Sequence, residues 1–168
     1  MKQTSISRYP VEEHEVFSII GRFCQNRNIS LPITFEASIV NMKVQSLERT
    51  FIDKVFAVCD YRLQDMQDRD SRHLYDIAKI LPQIRIDDGL KTLVDKVRKD
   101  RMSSKNNPSA QPEHDIPRML KEIIVSRFYE EDYNNLTRRL LYEDVSYDDA
   151  VDHGIAAIAD LDLFKYRT

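Results

Sequence analysis

Glycine is scarce in this chain of 168 residues: Gly21, Gly89 and Gly154 are all there is. They lie far apart, so no glycine-rich loop exists whose backbone could cradle a phosphate. Tryptophan is absent, and cysteine is limited to Cys24 and Cys59. Each stands alone in an apolar helical pattern, which fits a small core residue better than half of a disulfide. His14, His114 and His153 have no Cys or His partner at metal-ligand spacing. No apolar run approaches the roughly 18 residues that a membrane span needs, and Met1-Lys2-Gln3-Thr4-Ser5 has no apolar signal core. A cytoplasmic, reducing compartment and no membrane partner are expected. The net charge of −3 offers no global basic field to draw nucleic acid.

What is present is ordinary for a globular domain, with 42% hydrophobic and 32% charged residues. Helical periodicity dominates. Pro10 can open a helix that buries Val16, Phe17, Ile20, Phe23 and Cys24 and ends near Asn28. Ile33, Phe35, Ala37 and Ile39 alternate with polar residues, and Met42 and Val44 continue in the other parity. That pattern predicts two short strands, or one strand with a bulge. From Leu47 a wide stripe of Phe51, Ile52, Val55, Phe56, Val58 and Cys59 reads as helix again.

A helix from about Ser71 stops at Pro82, and another enters through Asp87 or Asp88 with Leu90, Leu93, Val94 and Val97 on one face. Its basic tail, Lys96, Arg98, Lys99 and Arg101, complements a helix C-terminal dipole. Residues 102–116 lack periodicity and read as a loop or linker. Beyond it, Pro117 starts a helix, Phe128 to Leu141 supply another, and Ser146 caps a last one. The expected fold is mainly α, a helical bundle with a small β element of one or two short strands near residues 33–45. One helical domain over 1–168 is expected, divided into a core segment 1–101, the loop 102–116 and C-terminal helices 117–168.

Two charged clusters interrupt the apolar stripes. In the first, Arg49 and Asp53 are four residues apart, and Lys54 lies about a turn beyond Thr50. In the second, Arg69, Asp70, Arg72, His73, Tyr75 and Asp76 gather at a helix start, where Ser71 reads as the cap. The plain account of both is a solvated helix flank. The chemical one is phosphate binding by Arg49, Lys54 and Arg72, since a guanidinium grips phosphate oxygens through a planar fork and an ammonium as a point charge. His73 can take or give a proton near neutral pH, or simply bond to Asp76 or a phosphate. Asp65, Asp68 and Asp70 lack the central Gly and terminal Glu of a calcium loop. Tyr129, Tyr133, Tyr142 and Tyr147 could stack bases, though helical spacing suits core tyrosines with wet tips.

The ordered pair Arg49-Thr50-Phe51 with Asp53-Lys54, then Arg72-His73-Leu74-Tyr75-Asp76, resembles the C-terminal half of the nucleotidyltransferase AbiEii/AbiGii toxin family. The resemblance extends to Ser7-Arg8-Tyr9-Pro10, to the Leu90–Arg101 helix and to Phe128, Tyr129, Asp132 and Tyr133. It implies catalytic roles for Arg72, His73 and Asp76, and nucleotide or phosphate binding by Arg49, Lys54 and Arg72. Two departures matter: Asp53 stands where Glu is commoner, and His73 where an acid is expected.

An intact family member also carries a Gly-Gly-Ser/Thr motif and an Asp-x-Asp pair that hold Mg2+ and a nucleoside triphosphate. Neither motif can be read here, because Asp68-Arg69-Asp70 and Asp160-Leu161-Asp162 follow no glycine pair. The chain alone is therefore expected to bind no metal or cofactor and to be inert, as the C-terminal helical portion of such an enzyme. The alternative is a free-standing helical interaction module that binds a protein or nucleic acid without catalysis. Expected partners are an antitoxin protein, a complementary N-terminal catalytic half, and tRNA or another nucleic acid. A strand edge left unpaired would favour a homo-oligomer.

Overall fold

Three charges and two β-branched residues decide the first element. Val11–Phe17 is a strand (β1) that pairs antiparallel with Ile39–Gln45 (β2), in a register that sets Glu13 against Lys43 and Val16 against Val40. A computed structural model describes residues 10–30, 39–68 and 70–166. The sequence pattern had placed 11–17 in a helix opened by Pro10. On a helix, Glu12 and Glu15 would share a face and repel; on the ladder Glu13 meets a cation and Val16 a matching valine. The helix begins only at Ser18, whose hydroxyl accepts from the Gly21 amide at 3.0 Å, so α1 is Ile19–Asn26. Strand structure in 39–45 falls where alternation predicts it; Ile33, Phe35 and Ala37, like Ser7 to Tyr9 and Arg69, lie outside the described residues.

The chain divides into two compact units, residues 1–46 and 47–168. The first holds the two-stranded sheet and α1. The boundary falls at the start of a helix and not in the 102–116 loop.

Within the second unit, Leu47–Leu63 (α2) is central. Phe51, Ile52, Val55, Phe56, Val58 and Cys59 are all fully buried, a stripe too wide for a helix covered on one side only. Around it pack Arg72–Ile80 (α3), Asp88–Met102 (α4) and Ile116–Ser126 (α5). Caps agree with the sequence at two starts: Asp87 accepts from Leu90 N at 3.0 Å, and Ser146 from Asp149 N at 3.0 Å. The C-terminal part forms two helical runs, residues 130–140 and 147–159. Each contains a π-helical segment, Tyr133–Thr137 and Asp152–Ala156. A Cβ on Gly154 would lie 3.3 Å from the Ala78 amide nitrogen, so this glycine permits close approach to α3.

Two expectations for this unit change. The basic tail of α4 does not simply face water. Arg98 is buried against Phe56 and Tyr166 and donates to the Phe164 carbonyl, while Arg101 binds carboxylates of α2. Nor does the aperiodic 102–115 stretch hang free. Its turn Pro108–Ala110 buries Ser109 and Ala110, with the Ser109 amide donating to Asp60 at 2.8 Å and its hydroxyl to the Phe56 carbonyl. Periodicity cannot register such a segment, because its burial depends on single polar bonds and not on a repeating face.

Candidate functional site

Helix α2 carries polar side chains along two edges, and the two do different things. Arg49 and Lys54 are five residues apart, so they point roughly 140° away from each other around the axis. Arg49, Asp53 and Asp60 face α4. Lys54 and Tyr61, one heptad apart, face α3.

On the α4 edge, Arg49 Nε donates to Asp53 at 2.8 Å, and its guanidinium lies 3.7 Å from Asp100. Arg101 donates to the other Asp53 oxygen at 3.1 Å and to Asp60 at 2.6 Å. Asp60 also takes the Ser109 amide. These charges are mutually paired and largely out of water, with only 10% of the Arg49 side chain exposed. The network holds α2, α4 and the 108–110 turn together.

On the α3 edge, Lys54 Nζ donates to Asp76 Oδ2 at 2.6 Å and lies 3.4 Å from His73 Nδ1. His73 Nδ1 is 3.7 Å from the same Asp76 oxygen, and its ring stacks on Tyr61 at 6.2 Å between centroids. Partial burial alone would raise the Asp76 carboxyl, but His73 and Lys54 outweigh it and hold the group below its usual value. Asp76 is accordingly a carboxylate that orients Lys54, and a poor general base while that contact lasts.

Arg72 does not join this cluster directly. Its side chain is 68% exposed, 3.6 Å from Asp70. The link runs through Asp76, which binds Lys54 and also lines a cleft that Arg72 lines with Tyr75, Asp132 and Leu136. Among the residues singled out from sequence, the structure thus brings Lys54, His73 and Asp76 together, places Arg72 in a cleft that Asp76 alone of these three lines, and puts Arg49 in a separate network.

Several neighbours play roles other than those the sequence suggested, or gave no signal in it. Ser71 occupies the cap position of α3, yet its hydroxyl makes no cap bond and instead meets Thr137 Oγ1 at 2.7 Å in the interior. Asp60 and Ser109 left no local signal, being far apart in sequence, and Arg101 stood out only as part of the basic α4 tail. Tyr61 had one, its heptad spacing from Lys54.

Other chemistry does not fit. Burial pushes the Cys59 thiol well up, so it stays protonated and inert. Among the described residues no three His, Cys, Asp or Glu side chains gather into a cation cradle, and Asp76 is committed to Lys54. This donor set does not suit a bound Mg2+. No described helix is long and apolar enough to cross a membrane.

No curated protein and no solved structure matches the chain. One family model does, over residues 4–153, and its description is a nucleotidyl transferase AbiEii toxin of a type IV toxin–antitoxin system. With most of the sequence inside that match, the chain belongs to the AbiEii nucleotidyl transferase toxin family.

Proposed function

We propose that this chain forms the phosphate-facing, helical portion of a nucleotidyl-transfer site, with Lys54 and Arg72 as the phosphate-binding cations. The carrying observation is the Lys54 ammonium held at 2.6 Å by Asp76, which itself lines the Arg72 cleft. A lysine has three donors; Asp76 takes one and His73 Nδ1 lies within reach of a second, which leaves one for an anion. Because the Lys54–Asp76 pair is neutral overall, net attraction for phosphate comes from Arg72, while Lys54 contributes a directed N–H donor. Asp76 aims the Lys54 ammonium, and His73, stacked on Tyr61, serves as the proton carrier of the cluster. Arg49 is left out of the phosphate set, since its guanidinium already braces Asp53.

In this proposal the metal-binding carboxylates come from a complementary catalytic half, and the chain by itself turns nothing over. An antitoxin is the regulatory partner that the family's type IV system calls for. Exposed Leu136, Leu140 and Tyr142 favour a second reading, a helical module that docks a protein through this patch without catalysis.

Titration with inorganic tripolyphosphate separates the two. Lys54→Met and Arg72→Met should each weaken binding by about 10- to 100-fold, the range expected for one charge-assisted hydrogen bond. Arg49→Met should not change affinity in whatever fraction remains folded. Equal affinity of wild type and Lys54→Met would end the phosphate proposal, and magnesium-dependent turnover by the chain alone would end the claim of inertness.

A further inference from the structure

Lys54, His73 and Asp76 meet at a single carboxylate oxygen. Lys54 Nζ donates to Asp76 Oδ2 at 2.6 Å, and His73 Nδ1 lies 3.4 Å from that ammonium and 3.7 Å from the same oxygen. An ammonium donates and never accepts, so the imidazole can face it at this distance only through a bare Nδ1 lone pair. The arrangement therefore holds a neutral His73 whose proton is on Nε2. Stacking on Tyr61 and burial of all but 13% of the side chain keep the ring in place.

Protonation turns this contact from attraction to repulsion. A proton on Nδ1 cannot point at an ammonium, and its nearest acceptor is Asp76 Oδ2, which Lys54 already occupies. Partial burial would raise the Asp76 carboxyl, but His73 and Lys54 hold it below the usual carboxylate range, so it stays ionised while the imidazole titrates. Two cations then compete for one oxygen, and the cluster goes from neutral to a single positive charge.

The groups that face the imidazole are few. From α2 it meets Lys54 and Tyr61, and from α3 itself Asp76, with Asp70 and Arg72 lying 3.6 Å from each other just before it. The run 130–140, joined to α3 through Ser71 and Thr137, brings Asp132 and Tyr133. The run 147–159 approaches α3 along Leu74 and Ala78 and carries Tyr147, Asp148, Asp149, Asp152 and His153. Among the described residues, hydrogen bonds and ion pairs tie the His73 ring to Lys54 and Asp76 and to none of the groups on these two runs.

We infer that Lys54, His73 and Asp76 form a pH-operated switch, in which protonated His73 takes over Asp76 and releases the Lys54 ammonium to an incoming anion. Neutral His73 leaves the lysine closed on its carboxylate. Histidine is the side chain that changes charge between pH 5 and 8, so the switch works in that window and opens on the acid side. One proton passes from solvent to Nδ1, and the Lys54–Asp76 hydrogen bond is the bond that breaks. Release to phosphate rests on the role proposed for Lys54; the exchange of partners at Asp76 does not.

The test follows the full chain by NMR from about pH 8 to 5. At the alkaline end the imidazole nitrogen shifts should show the Nε2–H tautomer. On acidification the Lys54 Nζ and Asp76 Cγ signals should move with the midpoint of the His73 ring, and in His73→Gln they should stay flat. The wild-type signals decide the exchange even where the variant folds poorly. Calorimetric titration with inorganic tripolyphosphate across the same range is the second arm. The ratio of wild-type to His73→Gln affinity, in which the ligand's own titration cancels, should rise about 10-fold toward acid, the effect of one added charge-assisted hydrogen bond. On a Lys54→Met background it should rise less, since no ammonium is released.

An Nδ1–H tautomer at the alkaline end, a ring that does not titrate in this window, or Lys54 and Asp76 signals that ignore its titration each overturns the inference. If tripolyphosphate binding at neutral pH still needs Lys54 and Arg72 in that case, the phosphate role stands alone. If the signals move together while the affinity ratio stays level, release to an anion is refuted. If tripolyphosphate binding also ignores Lys54 and Arg72, the phosphate role has failed and the exchange of partners stands.

Discussion

Replacing Arg101 by methionine tests whether the α2–α4 charge network is a structural brace or a solvated flank. Arg101 donates at 2.6 Å to Asp60, at 3.1 Å to Asp53 and at 3.3 Å to Asn107. Only 15% of its side chain and 5% of that of Asp60 remain exposed. Methionine keeps most of the aliphatic volume and removes the charge, leaving Asp60 with the Ser109 amide as its remaining recorded donor. Breaking a buried pair by deleting one partner costs about 3–5 kcal/mol, because the other charge stays buried without compensation. Partial exposure of Asp53 argues for the lower part of that range.

Urea unfolding followed by circular dichroism should show a lower midpoint with an unchanged slope, which locates the loss in stability and not in the unfolded ensemble. Asp60→Asn retains an acceptor for Ser109 and should cost less than Arg101→Met. In the double variant the two losses should fail to add, with a coupling of about 0.5–3 kcal/mol. A loss below about 1 kcal/mol for Arg101→Met, with additive doubles, would mean that these are screened surface pairs and that the assignment of Arg49 to a brace is mistaken.

The Asp76 carboxyl titrates below its unfolded value, so the unfolded chain binds the extra proton and the Lys54–Asp76 pair stabilises at neutral pH. That contribution should be complete above the ordinary carboxylate range and vanish as pH drops through the lowered native value; the stability gap between wild type and Asp76→Asn, measured from pH 7 down to about 3, should therefore narrow on acidification, and a gap that widens would reverse the sign. Thr137→Val removes one partner of the buried Ser71 hydroxyl with little change in volume. It should cost about 1–3 kcal/mol in urea unfolding, and a neutral result would show that the hydroxyl pair does not anchor α3.

The helices of the second unit were legible because each carries its own evidence. Asp87 and Ser146 are caps readable from residue type, and the α2 stripe from Phe51 to Cys59 repeats along one strand of sequence. β1 was not legible, since Val11 to Phe17 alternates imperfectly and becomes a strand only when Lys43 and Val40 arrive from 30 and 24 residues away to oppose Glu13 and Val16. The α4 tail failed for a related reason: four basic residues within six positions look alike, yet only tertiary packing separates buried Arg98 and carboxylate-bound Arg101 from their neighbours. The same holds at the candidate site. Residue type singled out Arg49, Lys54, Arg72, His73 and Asp76, while the split that joins Lys54 to His73 and Asp76 and turns Arg49 to another edge needs the helix and its neighbours in place.

By itself, then, the sequence determined the mainly helical architecture, the second unit's helix boundaries and the family, because caps, periodicity and ordered motifs are properties of neighbouring residues. Tertiary structure alone decided which charges are braces and which face the cleft. That choice depends on distances across 22 to 66 residues of chain, as between Lys54 and Asp76 or Ser71 and Thr137, and no local pattern encodes them.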